Sequence, residues 1–248
     1  VITKDVTLYL DASGQLTVLP TDVDDGSYDN CPIDRMEVDP NTFTCEDIGS
    51  HVVTLTVYDE AGNSSSDTAT VTVEDNMPPT VVTKNITIDL DADGNASIVP
   101  ADVDDGSSDN CGIAHLALDK SSFTCADLGA NIVTLTVYDV NGNSNSGTAT
   151  VTVRDVTPPT ITVTGEEEIT LKIMVDCYTE QGAVWTDACD GTGAAVIGGD
   201  PAPTNCPLQE SDLGDYVITY DYTDSSGNAA EQKTRTIHVI RNYPPEIT

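Results

Sequence analysis

The stretch HVVTLTVYDEAGNSSSDTATVTVED, residues 51–75, decides the fold. In its first half Val53, Leu55 and Val57 alternate with Thr54, Thr56 and Tyr58. A period of two marks a strand with one buried face. TATVTVED (68–75) alternates in the same way, and the Gly-Asn pair between the two runs marks a hairpin turn. Upstream, VTLYLDASGQLTVLP (6–20) reads as two more short strands around an Asp-Ala-Ser-Gly turn. No stretch has the spacing of an amphipathic helix. About seven short strands in about 80–90 residues, with frequent turn signals, predict an all-β immunoglobulin-like sandwich.

The pattern repeats. Residues 1–80 and 81–160 align without a gap, with 46 of 80 positions identical. Self-similarity at a fixed period means a tandem array. Residues 161–248 form a divergent third copy, anchored by YDYTDSSGN (220–228), which matches LTVYDVNGN (135–143). Proline pairs at 78–79, 158–159 and 244–245 fall between copies and stiffen the linkers into extended segments. The expected domains are 1–78, 79–158 and 159–248, in an extended array. The chain starts in mid-pattern and ends on a further NYPPEIT junction, so it reads as a piece of a longer protein with further copies of the repeat.

Composition narrows the function. The chain carries 42 acidic against 9 basic residues, a formal charge of −33. Phosphate contacts need Lys and Arg, so nucleic acid is excluded as a partner, and an anionic membrane surface is disfavoured. No apolar run is long enough for a membrane span. Asp outnumbers Glu 31 to 11. A merely solvated acidic surface would use Glu freely, whereas the shorter Asp suits turns and compact oxygen cages for hard cations. No G-x-S-x-G, H-E-x-x-H or phosphate loop is present, and His51 aligns with Asn131, so the expectation is a protein that is not an enzyme.

The seven cysteines include no C-x-x-C, and the three histidines are scattered, which sets zinc aside. Their spacing suggests disulfides and an oxidising, extracellular setting. Cys31 and Cys45 close a short loop, as do Cys111 and Cys125, and alignment adds Cys189 with Cys206. Each such loop stabilises by roughly 3 kcal/mol in the chain-entropy model. Cys177 is left over, either free or competing for Cys206.

The acidic residues cluster. DVDDGSYDNC (22–31) recurs as DVDDGSSDNC (102–111). Close carboxylates repel unless a cation sits among them, and calcium takes six to eight oxygen ligands. The second copy offers Asp102, Asp104, Asp105, Asp109 and Asn110, with Asp139 at the end of the LTVYD strand and Asn143 beyond it. The first copy offers Asp22, Asp24, Asp25, Asp29, Asn30 and Asp59, with Asn63 beyond. The expected cofactor is Ca2+, because magnesium seldom uses dense protein cages. In the third copy only Asp187, Asp190 and Asp224, with Glu180, remain as weaker candidates. The alternative is a solvated loop, since Asp, Asn, Gly and Ser are ordinary turn residues. DLDADGNAS (89–97) reads as an Asp-Gly hairpin turn. Asp75 and Asp155 precede the proline pairs, where linker carboxylates could clamp neighbouring domains through an ion, although one carboxylate per junction is a thin signal.

DGSSDNC, YDVNGNS and the closing VTVRDVTPPT together resemble the HYR-type (hyalin repeat) immunoglobulin-like modules, common in large secreted surface proteins of Bacteroidetes, gliding-motility adhesins among them. The resemblance covers both 80-residue copies. The third copy, with YTEQGAVWTDACDG and GDYVITYDYTDSSGN, resembles a sister family of bacterial surface immunoglobulin-like domains. The resemblance implies a β-sandwich, a place on the bacterial cell surface, and adhesion or spacing. It supplies no ligand. The reading is a calcium-rigidified rod presenting a distal adhesive tip. The rivals are a module recognising a glycan or protein, and the spacer of a secreted hydrolase.

Overall fold

The computed structural model describes residues 1–242. The third proline pair, Pro244–Pro245, lies outside the described residues. The chain divides into two compact units. One comprises Val1–Ile86, Val99–Ser121 and Ile132–Thr150, and the other comprises Thr87–Ile98, Ser122–Asn131 and the chain from Val151 onward.

In the first unit, the alternating stretch forms two 11-residue strands, β5 (Gly49–Asp59) and β6 (Ser64–Glu74). They pair antiparallel from Gly49 opposite Val73 to Tyr58 opposite Ser64. Alternation is obeyed to the residue: Val53, Leu55, Val57, Ala69, Val71 and Val73 are buried, and their neighbours are not. β1 (Val6–Tyr9) runs parallel to β6, and β3 (Ile33–Asp39) pairs with β5, giving the order β1-β6-β5-β3. Opposite lies a two-stranded ribbon of β2 (Gln15–Thr17) and β4 (Thr42–Thr44). Leu10, Val18, Val23 and Phe43 fill the space between, with Cys45 and Cys111 packed against them. Each of the first two copies thus has six strands.

The start of each aspartate loop is a single helical turn, α1 (Pro20–Val23) and its counterpart α2 (Pro100–Val103). Proline fixes the first helical φ, and the carboxylate three residues into the turn accepts the N–H that precedes it. Asp22 accepts from Leu19 N at 2.7 Å, and Asp102 from Val99 N at 2.7 Å. The turn buries Val23 and Val103 and commits both aspartates to capping.

The second copy repeats the strand set: β7 (Ile86–Asp89), β8 (Asn95–Ser97), β9 (Ile113–Leu118), β10 (Ser122–Thr124), β11 (Gly129–Asp139) and β12 (Ser144–Arg154), in the sheet order β7-β12-β11-β9 with the ribbon β10-β8.

In the second unit, the described residues of the third copy form seven strands. β13 (Thr160–Val163), β15 (Ala183–Asp187) and β16 (Gly191–Ala194) form one sheet. β14 (Glu168–Lys172), β19 (Lys233–Ile240), β18 (Gly214–Asp221) and β17 (Val196–Gly199) form the other. Trp185 stacks on Tyr222 at 3.9 Å and packs against this core. Arg235 is 1% exposed, its charge met by Glu180 at 2.6 Å. No described helix is long and apolar enough to cross a membrane.

The cysteines do not pair as their spacing suggested. The bonds are Cys45–Cys111, Cys125–Cys189 and Cys177–Cys206, and Cys31 is an exposed free thiol. None of the expected bonds Cys31–Cys45, Cys111–Cys125 and Cys189–Cys206 forms. In the third copy Cys189 is held by Cys125 and Cys206 by Cys177; in the first two the reason is strand length. β3 carries the chain roughly 23 Å away from Cys31 at 3.3 Å per residue, and three residues of β4 return at most about 10 Å of it. A disulfide needs its Cα atoms within about 7 Å. The second cysteine of each of the first two copies therefore meets the cysteine of the Asp-x-Cys turn in the next copy, with Cα atoms 5.4 Å apart at Cys45–Cys111 and 5.2 Å apart at Cys125–Cys189.

Candidate metal centres

Asp139 ends β11, where alternation turns it inward, and it is 3% exposed. Its Oδ1 accepts the backbone N–H groups of Asn141 (2.9 Å) and Asn143 (2.8 Å), and its Oδ2 accepts from Asn143 Nδ2 at 2.8 Å. The same amide reaches the carbonyl oxygen of Asp75 at 3.2 Å. Asp109 is held by a tight turn, its Oδ1 accepting from the N–H groups of Cys111 (2.8 Å) and Gly112 (3.0 Å). Asn110 donates from Nδ2 to the carbonyl oxygen of Asp11 (3.2 Å) and to Asp75 Oδ1 (3.3 Å). Asp75 also accepts from Met77 N at 3.1 Å.

The result is three carboxylates, from Asp75, Asp109 and Asp139, with one oxygen each lying within 4.8 Å of the others. Asp75 is 9% exposed. Its Oδ2, Asp109 Oδ2 and Asn110 Oδ1 are all buried without a hydrogen-bond partner. Buried polar atoms are normally satisfied, and an orphan calls for an explanation. Two like charges at this distance repel by roughly 3–4 kcal/mol at an effective dielectric near 20. Converging carboxylates, two of which (Asp75 and Asp109) keep an oxygen with nothing to accept from, suit an oxygen-seeking cation.

The second unit carries a related cluster. Asp187 Oδ1 accepts from the N–H groups of Cys189 (2.8 Å) and Asp190 (2.9 Å), as Asp109 does in its own loop. Asp224 holds Asn228 at 2.7 and 2.8 Å, and the Asn228 amide reaches the Asp155 carbonyl oxygen at 3.2 Å. Asp155, Asp187 and Cys189 converge within 4.8 Å, and Asp155 Oδ2 is buried without a partner. Cys189 is in a disulfide, so its sulfur is not a thiolate ligand. Ala188 stands where the second copy has Asn110, which removes one oxygen.

The other sequence candidates go elsewhere. Asp22 and Asp102 cap helical turns. Asp24 and Asp104 bind the N–H groups of Ser27 (3.0 Å) and Ser107 (3.2 Å). Burial pushes the Asp104 carboxyl up, but the Ser107 hydroxyl and backbone N–H groups outweigh this and hold it below its ordinary value. Asp25 and Asp105 are exposed. Asp29 and Asn30 are exposed too, while Asp59 is buried and holds Asn63 at 2.8 Å. Asp190 is taken by Ser225, whose hydroxyl and N–H both approach to 2.7 Å. Glu180 is saturated by Arg235, Tyr178, Tyr220 and Gly182 N. Of the loop candidates, the structure gathers Asp109, Asn110 and Asp139 and adds Asp75. The signal for Asp75 was its recurrence as Asp155, at the same place before the proline pair.

Residues 161–239 match the family described as bacterial surface protein, Ig-like domain. The chain is similar to hyalin of Strongylocentrotus purpuratus, at 30% identity over 210 residues, covering 81% of this chain and 17% of that protein. It is similar to hyalin of Lytechinus variegatus at 30% over 214 residues, covering 81% and 39%. The chain thus spans well under half the length of either hyalin. Among solved structures, titin I-band fragment I67–I69 aligns at 12% identity and TM-score 0.38, covering 97% of this chain and 96% of that one. Protocadherin gamma B7 extracellular cadherin domains 1–4 align at 12% and 0.34, covering 84% and 66%. The family match and the hyalins support the reading of these copies as HYR-type and bacterial-surface Ig-like domains of an extracellular, adhesive or structural kind.

Proposed function

We propose that the chain is a structural and adhesive segment of a large bacterial cell-surface protein, with modules 1–78, 79–158 and 159–248 rigidified by calcium and serving to present a distal adhesive tip. The observation that carries this reading is the convergence of Asp75, Asp109 and Asp139 with three buried oxygens that lack hydrogen-bond partners. The residues fit calcium. They offer carboxylate and amide oxygens and no nitrogen or thiolate, and they come from a linker and two loops, which a large, flexibly coordinated ion tolerates better than magnesium. Asp75, Asp109, Asn110 and Asp139 would hold the ion. The bound ion would supply the positive charge that offsets their repulsion. The chain's own part is to pre-orient the ligands: Asn143 fixes Asp139, the Cys111 and Gly112 N–H groups fix Asp109, and Met77 N fixes Asp75. Linker and loops are thereby tied together. A place on a bacterial surface accords with the family match at residues 161–239.

Thermal unfolding with added calcium, with excess EDTA and with magnesium tests the reading. The expected outcome is a clear rise in Tm with calcium and a smaller one with magnesium. An unchanged Tm, together with no bound metal by elemental analysis, would overturn it.

A further inference from the structure

Cys111 and Cys189 occupy the same place in successive copies, each held by an aspartate two residues earlier that accepts its N–H at 2.8 Å. Each bonds the second cysteine of the copy before it, Cys45 or Cys125. Beside each bond the amide of an asparagine, Asn143 or Asn228, reaches the carbonyl of the preceding linker aspartate at 3.2 Å. The joint is therefore built twice, from equivalent residues on both sides.

The first copy presents the receiving half of the same joint. Asp29 accepts the N–H of Cys31 at 3.0 Å, and Asp59 holds Asn63 through both oxygens. Between them lies a cavity of about 100 Å³ lined by Tyr28, Asp29, Ile33, Asp59 and Asn63. Tyr28 is 80% exposed there. Cys31 is the one cysteine in the chain without a bond. No internal donor remains for it, because Cys45 and Cys125 are used and Cys206 is closed by Cys177 inside the third copy.

We propose that the Cys31 face is a docking surface for the end of another module of this same kind. The cysteine of that module at the position of Cys45 bonds Cys31, and its linker aspartate, at the position of Asp75, completes a cation site with Asp29 and Asp59. The second half rests on the calcium reading; the first does not. Bond formation removes one proton and one electron from each thiol. The electrons pass to a low-molecular-weight disulfide such as oxidised glutathione, which leaves as two thiols. The polarity is fixed: each module receives at the cysteine of its Asp-x-Cys turn (Cys31, Cys111 or Cys189), the first two copies donate at the next cysteine along, and the third, whose Cys206 is closed by Cys177, does not donate.

The test extends the full chain by a copy of residues 1–80, carrying Cys31→Ser in the added copy only, placed directly before Val1. The repeat has no gap between residues 80 and 81, so the added junction reproduces the one already present. After folding in a glutathione buffer, peptide mapping is expected to find the added FTCED cysteine bonded to Cys31. Cys31 should then resist alkylation, while in the unextended chain it is fully alkylated. The three existing disulfides report correct folding. If they form and Cys31 still alkylates fully, the proposal falls. Calcium counted by elemental analysis should rise by one ion per chain. If the new disulfide forms and both chains bind calcium in equal number, the cation half is overturned. If neither binds calcium, it is the calcium reading that fails, while the disulfide joint stands.

Discussion

Two loops of nearly identical sequence, YDNC at 28–31 and SDNC at 108–111, have different structural fates. In the second copy Asp109, Asn110 and Cys111 are half-buried, with Asp75 and Cys45 of the first copy against them. In the first copy Asp29, Asn30 and Cys31 are exposed and the thiol is free. The intraloop hydrogen bond from the cysteine N–H to the aspartate carboxylate is present in both. What differs is the neighbour. A carboxylate on a loop is ordinary; a carboxylate that a linker covers and a disulfide pins in place becomes part of a site.

The largest expected effect comes from the disulfides. Cys111→Ser releases a bond between residues 66 apart in sequence. In the chain-entropy model that costs roughly 4 kcal/mol. Cys31→Ser should change stability by no more than about 0.5 kcal/mol, as surface substitutions do. Guanidinium unfolding without reductant measures both, and equal effects would break the comparison.

Next come the carboxylates. Asp75→Asn and Asp109→Asn should each abolish most of the calcium-induced rise in Tm, and Asp29→Asn should leave it intact. In EDTA the order inverts. Asp75→Asn should then be more stable than the parent by about 1–3 kcal/mol, because one of three converging charges is gone. Calorimetry in both buffers distinguishes a cation cage from a merely crowded surface.

A smaller effect comes from the turn beneath the second disulfide. Gly94 has φ +76°, and a Cβ there would lie 2.6 Å from Cys125 Sγ. Gly26 also has a positive φ, +89°, with open space around it. Gly94→Ala should cost about 2 kcal/mol or more and Gly26→Ala about 1 kcal/mol, the difference being the contact and not the backbone. Urea midpoints of the two variants give it directly.

The smallest effect is in acid. The Asn63 side-chain amide, and then its backbone N–H, hold the Asp59 carboxyl below its ordinary value. A lowered folded pKa contributes stability that is present above the unfolded value and is lost as pH falls through the folded one. The stabilisation from Asp59 should therefore persist at neutral pH and fade below about pH 3.8. Asp59→Asn should flatten that limb of the Tm-against-pH curve and leave the neutral plateau's slope unchanged.

The sequence by itself determined the strands, the repeat and the chemistry of the loops. Val53, Leu55 and Val57 announce β5 because alternation is local: each residue's face follows from its neighbours two positions away. Asp109, Asn110 and Asp139 were legible as candidate ligands from their type and their place at turns. The helical turns at Pro20–Val23 and Pro100–Val103 were hidden in the aspartate loops because one turn is too short to show a period. Only the tertiary structure decided which cysteine meets which, and that Asp75 closes the cluster while Asp104 and Asp105 do not. Those choices depend on where a strand of fixed rise delivers its ends. Cys31 and Cys45, close in the chain, are held apart by β3, and Cys45 and Cys111, far apart in the chain, are brought together by the packing of one copy's end on the next copy's beginning.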